Sequence, residues 1–89
     1  MNKPTEIAYV TWVDSIGIEG WTTDLPRETI EHSAVGWLLE ETEKSIVLSA
    51  SFGAPSWEGY SFHGPIRIPR LGITRIEKHK APAWLVNAC

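Results

Sequence analysis

The chain has 89 residues, 43% hydrophobic and 21% charged, a length that suits one domain and a composition too apolar for a disordered segment. Eight Lys and Arg against eleven Asp and Glu leave a net charge of −3, which excludes a general nucleic-acid coat, since that needs positive charge overall. No apolar run reaches the roughly 18–20 residues of a membrane span, no secretory leader is visible, and the single cysteine cannot make an internal disulfide or a cysteine-rich zinc site, so a reducing cytoplasm is the expected compartment.

The first regular segment is Ile7-Ala8-Tyr9-Val10-Thr11-Trp12-Val13. It is β-branched and aromatic, which predicts a strand over about 6–13, buried on most of both faces. Asp14-Ser15-Ile16-Gly17 should break it, because Asp, Ser and Gly favour turns. Asp14 and Ser15 either cap that turn through their own backbone or contact a ligand. Farther on, Asp24 ahead of Leu25 and Pro26 fits the start of one short helical turn near residues 25–31.

Ala34-Val35-Gly36-Trp37-Leu38-Leu39-Glu40 predicts a second strand, with Val35, Trp37 and Leu39 sharing a face. Gly36 has no side chain to pack, so it marks a bend, a bulge or a close backbone approach. The polar turn Glu41-Thr42-Glu43-Lys44 joins it to a third strand over 45–52, in which Ile46, Leu48, Ala50 and Phe52 share a face. Together they form a hairpin. A fourth strand is expected over 59–68, where Tyr60, Phe62, Gly64, Ile66 and Ile68 alternate with Ser61, His63, Pro65 and Arg67. Pro65 cannot donate a ladder bond, so that strand should bulge there or lie at an edge. Ile68-Pro69-Arg70-Leu71-Gly72 reads as a tight turn, followed by a fifth strand over 72–78. The tail, 81–89, carries Ala83-Trp84-Leu85-Val86 and should pack on the body of the fold or on a neighbouring subunit. Five short strands around a bent second one predict a mainly β chain, rolled into a small barrel.

Val35-Gly36-Trp37-Leu38-Leu39 with Ile46-Val47-Leu48-Ser49, followed by Ile66-Arg67-Ile68-Pro69-Arg70-Leu71-Gly72-Ile73, resembles the Sm-like (SH3-type) barrel. In that fold a glycine-containing strand bends sharply and an Ile-Pro turn leads into the closing strand. More closely, Trp12-Val13-Asp14-Ser15, Gly20-Trp21, Val35-Gly36-Trp37-Leu38 and Ile68-Pro69 resemble a family of short uncharacterised bacteriophage proteins. The likeness spans about residues 7–78, and the order of the motifs carries more of it than any one of them. It implies a cytoplasmic protein of an infected bacterial host. Sm-like proteins close their exposed strand edges by forming rings, so a homo-oligomer is also implied.

Charge is unevenly placed. Residues 1–58 carry three basic side chains against ten acidic ones, and residues 59–89 carry five basic against Glu77 alone. The two halves either pair with each other, within or between subunits, or the basic end faces an anionic ligand. No hydrolase, zinc-protease or phosphate-loop motif is present, and His32, His63 and His79 stand at no metal-ligand spacing, so neither enzyme, metal nor cofactor is expected. Raw material for binding is better. Trp21, Trp57 and Tyr60 lie on or beside loops, where a ring can stack on a base. Arg67 and Arg70 can make forked bonds to phosphate. These five residues with Asp14 and Ser15 are the candidate ligand contacts. The expected function is a non-enzymatic oligomer holding a small anion such as a nucleotide, for instance an immune signal sequestered by a phage. The alternatives are an RNA- or DNA-binding ring, or an inhibitor or adaptor acting on a host protein.

Overall fold

Alternating side chains in β1 (Glu6–Ser15) send Ala8 and Val10 to one face, where they are fully buried. The computed structural model describes residues 3–15, 21, 23, 29–56 and 59–88. The other face of β1 is not a second core face as the sequence suggested, because Tyr9 and Val13 are exposed there. β1 also runs through Asp14 and Ser15 rather than turning. It pairs antiparallel with β2 (Thr29–Glu41) from Ile7 opposite Trp37 to Ser15 opposite Thr29. Of the short helix expected over 25–31, residues 29–31 are therefore strand, held by that ladder, and 24–28 lie outside the described residues.

β2 turns through Thr42, whose hydroxyl accepts the backbone N–H of Lys44 and of Ser45, into β3 (Ser45–Ser49). This is the hairpin expected over 34–52, with a register shift at Leu39. Gly36 marks the close approach: a Cβ there would lie 2.7 Å from the Ser49 carbonyl oxygen. The third and fourth expected strands are each split. β3 stops at Ala50, and β4 (Ser51–Ser56) pairs with β5 (Gly59–His63) in a separate hairpin. β6 (Ile66–Pro69) then returns to pair with β3. The physical cause is at Gly64-Pro65. Gly64 has φ +61°, a left-handed conformation, and Pro65 has no N–H to donate, so the ladder cannot continue through them.

A 3-10 turn, Arg70–Gly72, leads into β7 (Ile73–Lys80), which pairs with the other side of β1. The main sheet is antiparallel, in the order β6-β3-β2-β1-β7. It is not closed into a barrel. Among the described residues β6 and β7 remain unpaired edges, although only the three-residue 3-10 turn connects them. What spans the gap is contact: a Cβ on Gly72 would sit 2.9 Å from the Val13 carbonyl oxygen.

The concave face holds Ala8, Val10, Ile46, Leu48 and Ile68, flanked by Trp12, Ala34, Leu38, Ile73 and Ile76. Five fully buried apolar side chains among the described residues make a small core. The molecule is correspondingly open: its radius of gyration is 16.4 Å, against about 12 Å for a compact chain of this length. Its accessible surface is 6811 Å², against about 5,200 Å² for a compact monomer of this mass. The tail ends in a short helix, α1 (Ala83–Val86). Leu85 and Val86 are half-buried, whereas Trp84 projects with 74% of its surface exposed. Among the described residues no helix is long and apolar enough to cross a membrane.

Candidate functional site

The alternation that buries Ala8 and Val10 carries on to Trp12 and Asp14 on the same face of β1. Beyond Trp12 the strand has no β7 partner, so these two side chains lie beside the open gap facing β6. A cleft of about 380 Å³ occupies the gap, lined by Trp12, Val13, Asp14, Ile66, Arg67, Ile68, Pro69 and Gly72. Its walls are mostly apolar, with Asp14 and Arg67 the charged residues along them, and its size suits a small molecule. Arg67 alternates with the buried Ile68, so its guanidinium lies toward the other face of the sheet.

His32 stands opposite Trp12 in the β1–β2 ladder. The two rings stack with centroids 5.3 Å apart and planes 22° apart. The His32 Nε2 is 4.0 Å from an Asp14 carboxylate oxygen. The ladder therefore builds a row in which the imidazole braces the indole and reaches toward the carboxylate.

Arg67 comes from the edge strand. Its Nη1 donates to Glu40 at 3.2 Å and to the Ser45 hydroxyl at 2.8 Å, and its Nη2 donates to Glu40 at 3.3 Å. A guanidinium has five N–H donors, so Nε and one Nη2 hydrogen have no such partner among the described residues. Arg70 is tied down more fully, through Nε to the Thr42 carbonyl at 2.7 Å and through Nη2 to Glu41 at 2.8 Å.

Two of the seven residues expected to contact a ligand, Asp14 and Arg67, thus line one cleft, together with Trp12, which was not among those expected. Ser15 lies in β1 opposite Thr29. Tyr60 is half-buried on β5, packed edge-on against Phe52 at 5.9 Å, with the Lys3 ammonium 5.9 Å from its ring centre. Trp21 is fully exposed, and Trp57 lies outside the described residues. Arg70 sits with Glu41 and lines neither this cleft nor the outer hollow of the sheet. The two-residue period could have found Trp12, since it shares a face with Ala8 and Val10. His32 could not be found that way, because its pairing with Trp12 is set across a connection whose register the sequence does not state.

The charge asymmetry is largely internal. Glu40 takes Arg67, and Glu41 takes both Arg70 and Lys78, so acidic residues of the first part meet basic residues of the second. The Lys78 and Arg70 hydrogen bonds hold the Glu41 carboxyl below its ordinary pKa. Arg75 and His79 do the same for Glu77. Among the described residues no group of His, Cys, Asp and Glu could hold a metal ion. Comparison with protein-family models, with curated proteins and with solved structures gives no match.

Proposed function

We propose that this chain is a non-enzymatic, self-associating binding protein that holds a small anionic ligand of the nucleotide type in the cleft between the end of β1 and β6. The observation that carries this reading is the convergence of Trp12, Asp14 and Arg67 on one cleft of about 380 Å³. A nucleotide needs a flat apolar wall for its base, a fixed cation for its phosphate and an acceptor for its amino or hydroxyl hydrogens. The indole and the carboxylate are the first and third of these, and the Arg67 guanidinium, held by Glu40 and Ser45 on the other face of β6, becomes the second by turning into the cleft. Arg67 serves by exchanging part of its Glu40 pairing for phosphate, and both side chains are exposed enough to move.

Several features support an Sm-like reading of the fold: the glycine-bearing β2, the Ile68-Pro69 turn and the two unpaired edges available to further copies. The resemblance to phage proteins makes a nucleotide signal of host defence the narrower version of the ligand. Long nucleic acid is the weaker reading, because Arg70 and Lys78 are both paired with Glu41 and the chain as a whole is acidic.

Calorimetric titration with mononucleotides and cyclic di- and trinucleotides tests the proposal. Heat is expected with at least one of them, and Arg67→Ala and Asp14→Asn should each weaken that binding while leaving the circular-dichroism spectrum intact. No heat from any nucleotide would overturn the reading.

A further inference from the structure

The convex face of the main sheet, opposite the cleft, carries a pattern that the binding function does not use. Tyr9 stands between Val35 on β2 and Glu77 on β7, and Thr11 stands between Ser33 on β2 and Arg75 on β7. Two parallel rows therefore cross three strands. The first reads Val35, Tyr9, Glu77 and the second reads Ser33, Thr11, Arg75. Together they line a hollow of about 410 Å³. The first row is bulky and exposed, with 63% of Val35 and 48% of Tyr9 open to solvent. The second row is small over the same two strands. The charges at the β7 end are opposite in the two rows.

We propose that this face is the interface of a two-fold dimer of the chain, with each bulky row seated on the small row of the other copy. In a symmetric interface, if one residue contacts a second, the second contacts the first in return. A two-fold axis lying along the rows and midway between them superposes the first row of one copy on the second row of the other. Tyr9 then sits over Thr11, Val35 over Ser33, and Glu77 over Arg75, each twice. Knobs meet hollows and acid meets base in one operation. Two sheets packed face to face in this way lie about 10 Å apart, close enough for side chains to interdigitate.

Within each copy Arg75 already bonds Glu77, so in the dimer the four side chains form a closed ring of alternating charge at one rim of the interface.

Sedimentation equilibrium over a range of concentrations tests this. The wild-type chain should associate to dimers. Ser33→Arg fills the hollow and should weaken association by at least about tenfold, or 1.4 kcal/mol, with circular dichroism unchanged. Arg75→Glu and Glu77→Arg should each weaken it, since like charges then face each other. An equimolar mixture of those two variants should associate more tightly than either alone, because opposite charges meet only between unlike copies. That rescue cannot arise from folding within one chain. A strictly monomeric wild type would overturn the proposal, as would a mixture no tighter than its components. So would association that survives Ser33→Arg but is lost on Ile66→Lys, which would place the contact at the β6 edge.

Discussion

Lys78 and Glu41 join β7 to the end of β2, with the Lys78 Nζ 3.0 Å from the carboxylate, although the two strands are not neighbours in the sheet. The same carboxylate receives Arg70 from the 3-10 turn. One glutamate therefore links β2, β7 and the 3-10 turn of an open sheet.

That link should be visible in the pH dependence of stability. The Lys78 and Arg70 hydrogen bonds depress the folded pKa of Glu41 below 4.5. A depressed carboxyl contributes stability that is present above its unfolded pKa and is lost as pH falls through the folded value. Stability should thus decline below about pH 4.5, with Glu77 adding in the same direction. Glu41→Gln should lower the urea midpoint at pH 7 and flatten the decline. An unchanged slope in the variant would assign the acid sensitivity elsewhere.

Leu48 and Ser49 are neighbours in β3 whose replacement should have opposite consequences. Leu48 is 2% exposed within a five-residue core, and Leu→Ala at such a site costs about 2–5 kcal/mol. That is a large share of the roughly 4–13 kcal/mol expected for a chain of this length, so a substantial unfolded population is expected. The Ser49 hydroxyl is buried and meets no hydrogen-bond partner among the described residues. Ser49→Ala removes an uncompensated polar atom and should leave stability unchanged or raise it by about 1 kcal/mol. Denaturant titration of both variants checks the contrast.

Two glycines separate close approach from mere permissiveness. A Cβ at Gly36 would lie 2.7 Å from the Ser49 carbonyl and 3.2 Å from the Leu48 Cβ. Gly36→Ala must push β2 and β3 apart and should cost about 1–3 kcal/mol. At Gly53 a Cβ meets nothing within 4 Å, and Gly53→Ala should stay within about 0.5 kcal/mol of wild type. Equal losses at the two positions would show that the contact does not set the cost.

These residues also show what the sequence makes legible. Shared-face patterns identified β2 and β3, because a two-residue period records which side chains point the same way, and β-branched and aromatic composition identified β1. Gly36 and Pro65 were readable as special because a missing side chain and a missing N–H have fixed consequences. The extent of β1 and β2 was not readable. Asp14 and Ser15 have turn preferences that the ladder to Thr29 and Ile30 overrides. Barrel closure was not readable either, since it depends on whether the β6 and β7 edges pair with each other, and among the described residues they do not. At the site, local reasoning favoured aromatics beside loops, whereas the cleft takes its indole from a strand. Arg67 and Arg70 look equivalent in sequence, yet the partners of Arg70 are Thr42 and Glu41 and only Arg67 lines the cleft.

Gly72 connects that cleft to the fold. It belongs both to the turn that bridges β6 to β7 and to the cleft wall, and a Cβ there would be 2.9 Å from the Val13 carbonyl oxygen. Backbone cannot yield as a flexible side chain can, so Gly72→Ala must lift the turn from the end of β1. The cost should be about 1–3 kcal/mol. The displacement should fall on the segment whose neighbour is Trp12, while Trp37, packed on Phe52 at 4.8 Å, should be unaffected. Indole resonances in a nitrogen-proton NMR spectrum distinguish the two. A shift confined to Trp12 is expected, together with weaker binding of any ligand the cleft holds. If every tryptophan moved, Gly72 would be supporting the sheet as a whole rather than positioning the cleft.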